Sequence, residues 1–384
     1  MKKFFVYYSV LLFIWSCQSR AKPSNDENLK KGVIQTPAIS KEEEKKYYDL
    51  AEAYLNATLL RGNFNGSILI AKNGVPVYEK YIGYKDLRTK DTLTAQTPLQ
   101  IASTSKTLTA AAVLQLVQQG KLNLDTPVYK IFQGFPYTGV TVKMLLNHRS
   151  GLPNYLYYME DGGWDRKRLA TNTDVLNTLI NWHPTQAYTP GFHFNYCNTN
   201  YVLLALIIER FSGMSYKDYM QKNIFEPLGM TNSYVQTVND SARTTPSFDG
   251  YGSLWQLDFS DGPYGDKNIY STPRDLLKWD QALYNESIIN KQFLDSAFTP
   301  YSNEKPGVYN YGLGFRLLMI SNGKKVIYHH GRWHGFNSAF ARLTDEKITI
   351  IILTNKFNRS IYMAARKMYN IFGNYDGRSE EAEE

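Results

Sequence analysis

Cysteine is nearly missing from this sequence: Cys17 and Cys197 are the only two in 384 residues. No disulfide framework can hold such a chain, so its stability has to come from a packed core, for which it is long enough. Long apolar runs are missing as well. The stretch from Phe4 to Trp15 is too short to span a bilayer. Clustered basic charge is also lacking. The formal charge of +8 becomes +6 once Lys2 and Lys3 are set aside, and the remaining basic residues are scattered. That excludes a nucleic-acid footprint. The composition is not extreme: 43% hydrophobic and 20% charged residues exclude a disordered or fibrous chain.

What is present begins at the N-terminus. Lys2-Lys3 followed by Phe4 to Trp15 has the form of a signal peptide. It ends at Ile14-Trp15-Ser16-Cys17, which resembles the lipobox of bacterial lipoproteins, although Trp15 is bulkier than usual there. Cys17 is then the expected lipidation site, and ordinary secretion is the alternative. Residues 18–39 are polar and read as a flexible tether, and the acidic residues 376–384 as a tail.

Between these ends the pattern is globular. Ser40 followed by Glu43 predicts a capped helix running to about Leu60. Gly66 to Ala71 and Val75 to Ile82 read as strands joined by an Asn73-Gly74 hairpin turn. Gly314 to Ile320, Lys325 to Tyr328, Ser338 to Leu343 and Ile348 to Thr354 read as further strands, and about Ser360 to Ile371 as a closing helix. The middle is mostly helical, with a buried helix over Leu203 to Phe211 stopped by Gly213. The expected fold is α/β (α+β): one antiparallel sheet built from both termini and flanked by helices. A domain of 40–375 then divides into a sheet lobe, 40–125 plus 306–375, and an inserted helical lobe, 126–305. A site is expected in the cleft between them.

Three stretches carry chemistry. The first is Ser103-Thr104-Ser105-Lys106, at the start of a helix marked by Leu108, Ala111, Ala112 and Leu116 and stopped by Gly120. Ser103 and Lys106 are three apart and share a face, so an amine stands where a serine hydroxyl needs its proton taken. The same spacing recurs at Ser19/Lys22, Ser302/Lys305 and Ser321/Lys324, in tail or turn contexts, so alone it is weak. The second is Tyr196-Cys197-Asn198, a phenol that can carry a proton beside a cationic amine and a carboxamide that can hold both lysine and substrate. The third is His329-His330-Gly331-Arg332, where a strand glycine permits close approach of another backbone. The amide of Arg332 can then pair with that of Ser103 as an oxyanion hole.

In this order and spacing the three stretches resemble the serine β-lactamase and penicillin-recognising family. The nearest branch resembles class C β-lactamases, D,D-carboxypeptidases, D-aminopeptidases and carboxylesterases. Leu145 to Leu152, Glu226 to Met230 and Tyr270 to Leu276 support it, and the likeness runs from about Phe64 to Leu353. The resemblance implies a β-lactamase/transpeptidase-like fold and a serine hydrolase that forms an acyl-enzyme on Ser103. Lys106 matches the amine that poises the serine, and Tyr196 the proton-shuttling phenol. Asn198, His329, Gly331 and Arg332 match substrate-binding positions. No cofactor or metal is implied.

Departures from the pattern bear on the substrate. His329 stands where many members carry Lys, which weakens the grip on a carboxylate, and Arg332 is positioned to restore it. Gly265-Asp266-Lys267-Asn268 replaces a glycine-rich stretch, and Cys197 a common Ser. His148, His183, His193 and His334 show no metal-ligand spacing. D-amino-acid peptides or small esters are expected ahead of β-lactams. The expected partners are a small-molecule or peptide substrate and, through the lipid, a membrane in the cell envelope. A monomer is expected, with no nucleic acid. The alternative from another class is a non-catalytic module that recognises peptidoglycan fragments or a protein partner.

Overall fold

Seven strands pair antiparallel throughout in a computed structural model that describes residues 1, 39–238, 240, 244–304 and 307–376. They are β1 (Gly66–Lys72), β2 (Val75–Ile82), β3 (Tyr309–Tyr311), β4 (Arg316–Met319), β5 (Lys325–Trp333), β6 (Phe336–Leu343) and β7 (Ile348–Thr354). Their order across the sheet is β2-β1-β7-β6-β5-β4-β3, so strands from the two ends of the chain meet at β1 and β7. The register there sets Leu69 opposite Ile351 and Ile70 opposite Ile350. Asn73 and Gly74 both have positive φ, 53° and 77°, as a two-residue hairpin turn requires. The leader, Cys17, most of the tether and most of the acidic tail lie outside the described residues. The fold from residue 39 onward falls in one compact unit.

The sheet is covered on both faces, which is why its central strands read as continuous apolar runs. Successive side chains alternate between the faces. Five longer helices matter here: α1 (Lys41–Ala57), α2 (Ser105–Gln118), α3 (Asn198–Ser212), α4 (Pro273–Asn285) and α5 (Ser360–Phe372). Ile68, Ile70, Ile350 and Ile352 pack with Ala51 and Leu55 of α1 and with Ile361, Ala365 and Met368 of α5. Leu69, Ile351 and Leu353 face the other way, into a larger core with α2, α3 and α4. Ser40 caps α1, its Oγ accepting from Glu43 N–H at 3.0 Å, and Gly213 ends α3 at φ 70°.

Two local features place the site. First, α2 is buried all round, including Lys106, so it is a central element rather than a surface helix. Its entry departs from the sequence reading: Ser103 sits in a tight 3₁₀ turn, Ala102–Thr104, ahead of α2 rather than within it. Ala102 takes φ 46°, a costly conformation for a residue with a Cβ. Second, a small sheet pairs Leu99–Gln100 and Tyr234–Val235 with Ile269–Ser271. Ile101 N–H bonds to Ile269 O at 2.9 Å, which delivers Asp266 and Lys267 to the start of α2.

Candidate active site

Ser103 is half-buried at the mouth of a cleft, and Lys106 is wholly buried one turn on. An unpaired ammonium at such depth is costly. Lys106 Nζ therefore lies within hydrogen-bond reach of three oxygens: Ser103 Oγ at 3.2 Å, Asn198 Oδ1 at 2.9 Å and the Asp266 carbonyl at 2.7 Å. It also stands 5.1 Å from the centre of the Tyr196 ring and 5.5 Å from that of Tyr201. Asn198 opens α3 and Tyr196 lies two residues ahead of it. Ser103, Tyr196, Asn198 and Arg332 line one cleft of about 430 Å³. Cys197 is a buried residue at the N-cap of α3, its thiol pushed up to about 11 by burial.

Strand β5 supplies the opposite wall, and β4 stops short of it. Beyond Tyr328, which pairs with Arg316, the edge of β5 runs free of β4 and meets the Ser103 turn instead. Thr104 Oγ1 donates to His329 O at 3.2 Å, and Ser338 Oγ donates to Ile101 O at 2.7 Å. Gly331 sits at the closest point. A Cβ there would meet the Ile101 carbonyl and lie 2.8 Å from Ser103 N, so only glycine fits. This is the close backbone approach read from the sequence.

His329 requires a correction. Its ring is fully buried behind the cleft, not facing it. Nε2 pairs with Tyr311 OH at 3.1 Å and Nδ1 with His330 O at 2.8 Å, leaving no nitrogen for substrate. Burial, with the charges of Arg316 and Lys106, holds it well below the usual histidine range, so the ring is neutral. His330, the next residue, lines the cleft in its place.

Arg316 escaped the sequence reading, and Asp266 and Lys267 appear there only as a departure from the family pattern. Arg316 lines the cleft, with its guanidinium 5.0 Å from the Tyr196 ring centre, and makes no ion pair among the described residues. Asp266 and Lys267 are almost wholly buried in the cleft floor. Lys267 Nζ donates to Tyr155 OH at 2.5 Å, lies 3.4 Å from Asp266 Oδ2 and stands 4.4 Å over Trp333. Burial holds Lys267 below its ordinary value against the pull of Asp266. The cue was the replacement of a glycine-rich stretch by Asp-Lys, whose burial depends on pairing that the sequence does not display.

Among the described residues one group could hold a metal ion: single ligand atoms of Asp258, Asp261 and His334 lie within 4.8 Å of one another. Asp261 already accepts from Trp333 Nε1 at 2.7 Å, pairs with His334 at 2.9 Å and caps the turn that Asp258 opens. Its oxygens are spent within the protein.

Comparison with known proteins gives the family. The Beta-lactamase family model matches residues 60–370. Penicillin-binding protein 4* of Bacillus subtilis is 33% identical over 319 residues, covering 79% of this chain and 70% of that protein. The putative penicillin-binding protein PbpX of the same organism is 27% identical, covering 94% of this chain and 91% of its own. An octameric penicillin-binding protein homologue from Pyrococcus abyssi superposes with a TM-score of 0.73 at 29% identity, covering 85% of this chain and 78% of that one. The D-amino acid amidase of Ochrobactrum anthropi shares the fold at a TM-score of 0.70 and 22% identity, over 84% of this chain and 98% of its own. The fold, the motif order and this alignment lead to one conclusion: the chain belongs to the Beta-lactamase family of serine hydrolases.

Proposed function

We propose that this protein hydrolyses an amide or ester through an acyl-enzyme on Ser103. The observation that carries this is the buried amine of Lys106, held between Ser103 Oγ, Asn198 Oδ1 and the Asp266 carbonyl. In this reading Lys106 takes the Ser103 proton as Oγ attacks the substrate carbonyl. Tyr196 returns a proton to the leaving group, and water then cleaves the ester. The amides of Ser103 and Arg332 receive the developing oxyanion. A binding module has no need for a lysine desolvated beside a serine, which favours catalysis over the non-catalytic alternative.

The substrate side of the reading rests on charge. His329 is withdrawn and neutral, while Arg316 and Arg332 face the cleft. A substrate bearing a carboxylate, such as a D-amino-acid peptide, suits that wall better than a neutral one. Location in the cell envelope, with Cys17 as the lipid anchor, remains part of the proposal. Cys17→Ser should shift the protein from the membrane to the soluble fraction.

Intact mass after incubation with p-nitrophenyl acetate, a labelled penicillin and a D-Ala-D-Ala peptide tests the main claim. An adduct or turnover lost in Ser103→Ala is the expected result. Turnover retained in that variant overturns the assignment.

A further inference from the structure

The histidine at position 148 is packed against Tyr196 in a way that ordinary core packing does not call for. Its backbone takes φ 57°, uncommon for a residue with a side chain, and its ring is fully buried. The two peptide N–H groups that flank Tyr196 both end on this one residue. Asn195 N–H donates to the His148 carbonyl at 2.8 Å, and Cys197 N–H donates to His148 Nδ1 at 3.2 Å. The ring lies 4.3 Å from that of Tyr196, centre to centre. It is held in turn by Tyr201, 5.2 Å away, and Tyr311, 4.9 Å away.

The tautomer follows from the partners. Ser150 Oγ donates to Asn200 Oδ1 at 2.7 Å, which turns the Asn200 amide nitrogen toward His148 Nδ1 at 3.2 Å. Nδ1 thus faces two donors and accepts, so the ring proton is on Nε2, which has no partner among the described residues. Burial, with the charges of Lys106 and Arg316, drives the imidazole well below the usual range and keeps Nδ1 free to accept.

We infer that His148 is the positioning residue for Tyr196: it fixes the chain on both sides of the phenol and packs its ring against it. This rests on the proposed role of Tyr196 in proton transfer, and gives the left-handed backbone at His148 a purpose. The turn Asn147 to Gly151 is bent so that one residue can offer a carbonyl and an imidazole nitrogen to neighbouring amides two positions apart.

Two substitutions tolerate the backbone conformation and differ in the acceptor. His148→Gly keeps the carbonyl and loses the nitrogen, leaving Cys197 N–H unpaired. His148→Asn tolerates positive φ and offers a side-chain oxygen. A misplacement of about 1 Å is enough for a roughly 100-fold loss of rate. We expect His148→Gly to lower kcat 10- to 100-fold, with KM within about twofold, and His148→Asn to recover most of it. Both are normalised to folded protein by thermal melting. Equal kcat per folded molecule in His148→Gly and wild type overturns the inference, as does an Asn variant no better than the Gly variant. Crystal structures of the two variants separate this from the hydrolase proposal. A Tyr196 ring that keeps its place over Lys106 in His148→Gly refutes the positioning role, whatever Ser103 does.

Discussion

Lys106 Nζ and the main-chain oxygen of Asp266 are joined by a 2.7 Å hydrogen bond. The bond ties the helix that follows the serine to a loop 160 residues further on. A backbone carbonyl cannot be protonated or swapped by mutation, so it orients the amine without adding a charge. Lys106→Ala removes the group while leaving Asn198 and Ser103 in place, and acylation should fall by about 10²- to 10⁴-fold. Stopped-flow labelling of Ser103 measures it. A loss below about tenfold rules out Lys106 as the base.

The same loop carries a buried ion pair whose removal should be felt in stability before rate. Lys267→Met leaves the Asp266 carboxylate almost wholly buried and without its cation. Breaking a buried pair from one side costs about 3–5 kcal/mol. Lys267→Met should therefore lower the urea midpoint sharply, and adding Asp266→Asn should recover much of it. Additive losses in the double variant would show that the pair is not coupled.

How far the sequence disclosed this site depends on how local each relationship is. Ser103 and Lys106 are three residues apart, and Tyr196 and Asn198 two, so their shared faces follow from local geometry. The central strands β1 and β7 are plain in their apolar runs, since a sheet covered on both faces leaves little polar alternation, and the edge strand β2 is marked instead by the Asn73-Gly74 turn ahead of it. Asp266 and Lys267 were noticed only as a departure, because charged residues are ordinarily exposed and nothing local marks a buried pair. His329 matches a substrate-binding position only by resemblance, and the face it takes on its strand depends on Tyr311 and the neighbouring short strands. Arg316 escaped for a related reason: β4 ends where β5 continues, and that is set by pairing across the sheet.

Gly331 gives a steric prediction. A methyl at this position meets the Ile101 carbonyl and the Ser103 amide, so β5 has to move away from the serine turn. Gly331→Ala should reduce acylation of Ser103 at least tenfold, since the displaced amide is the proposed oxyanion donor. Unchanged labelling kinetics would place the oxyanion site elsewhere.

Acid sensitivity follows from two buried imidazoles, His148 and His329, and a half-buried one, His330. His148 and His329 lie well below the usual histidine range, and His330 is pushed down to about 3 by burial and Arg316. Unfolded histidines titrate near 6.5, so below that pH the unfolded chain binds more protons than the folded one. Stability is complete above about pH 6.5 and should fall by about 1.4 kcal/mol per histidine for each further unit of acidification. Urea midpoints at pH 7.5, 6.0 and 5.0 should therefore decline before any carboxylate titrates, and His330→Gln should make the slope shallower. A flat profile over that interval contradicts the neutral assignment of these rings.

In the proposed reading, Arg316 gives the cleft its preference for an anionic substrate. Its guanidinium lies over Tyr196 and has no carboxylate partner among the described residues, while His329 has both nitrogens occupied and no charge. On the proposed reading, a substrate carboxylate would meet Arg316 rather than the first residue of the third motif. Removing an interaction made equally in ground and transition state raises KM and spares kcat. Arg316→Gln should accordingly raise KM for a D-Ala-D-Ala peptide about 10-fold, on the scale of about 1.4 kcal/mol for a lost charged hydrogen bond. The neutral ester p-nitrophenyl acetate should be turned over as before. Equal losses on both substrates would mean that Arg316 acts on Tyr196 itself, and equal retention that Arg332 alone holds the anion.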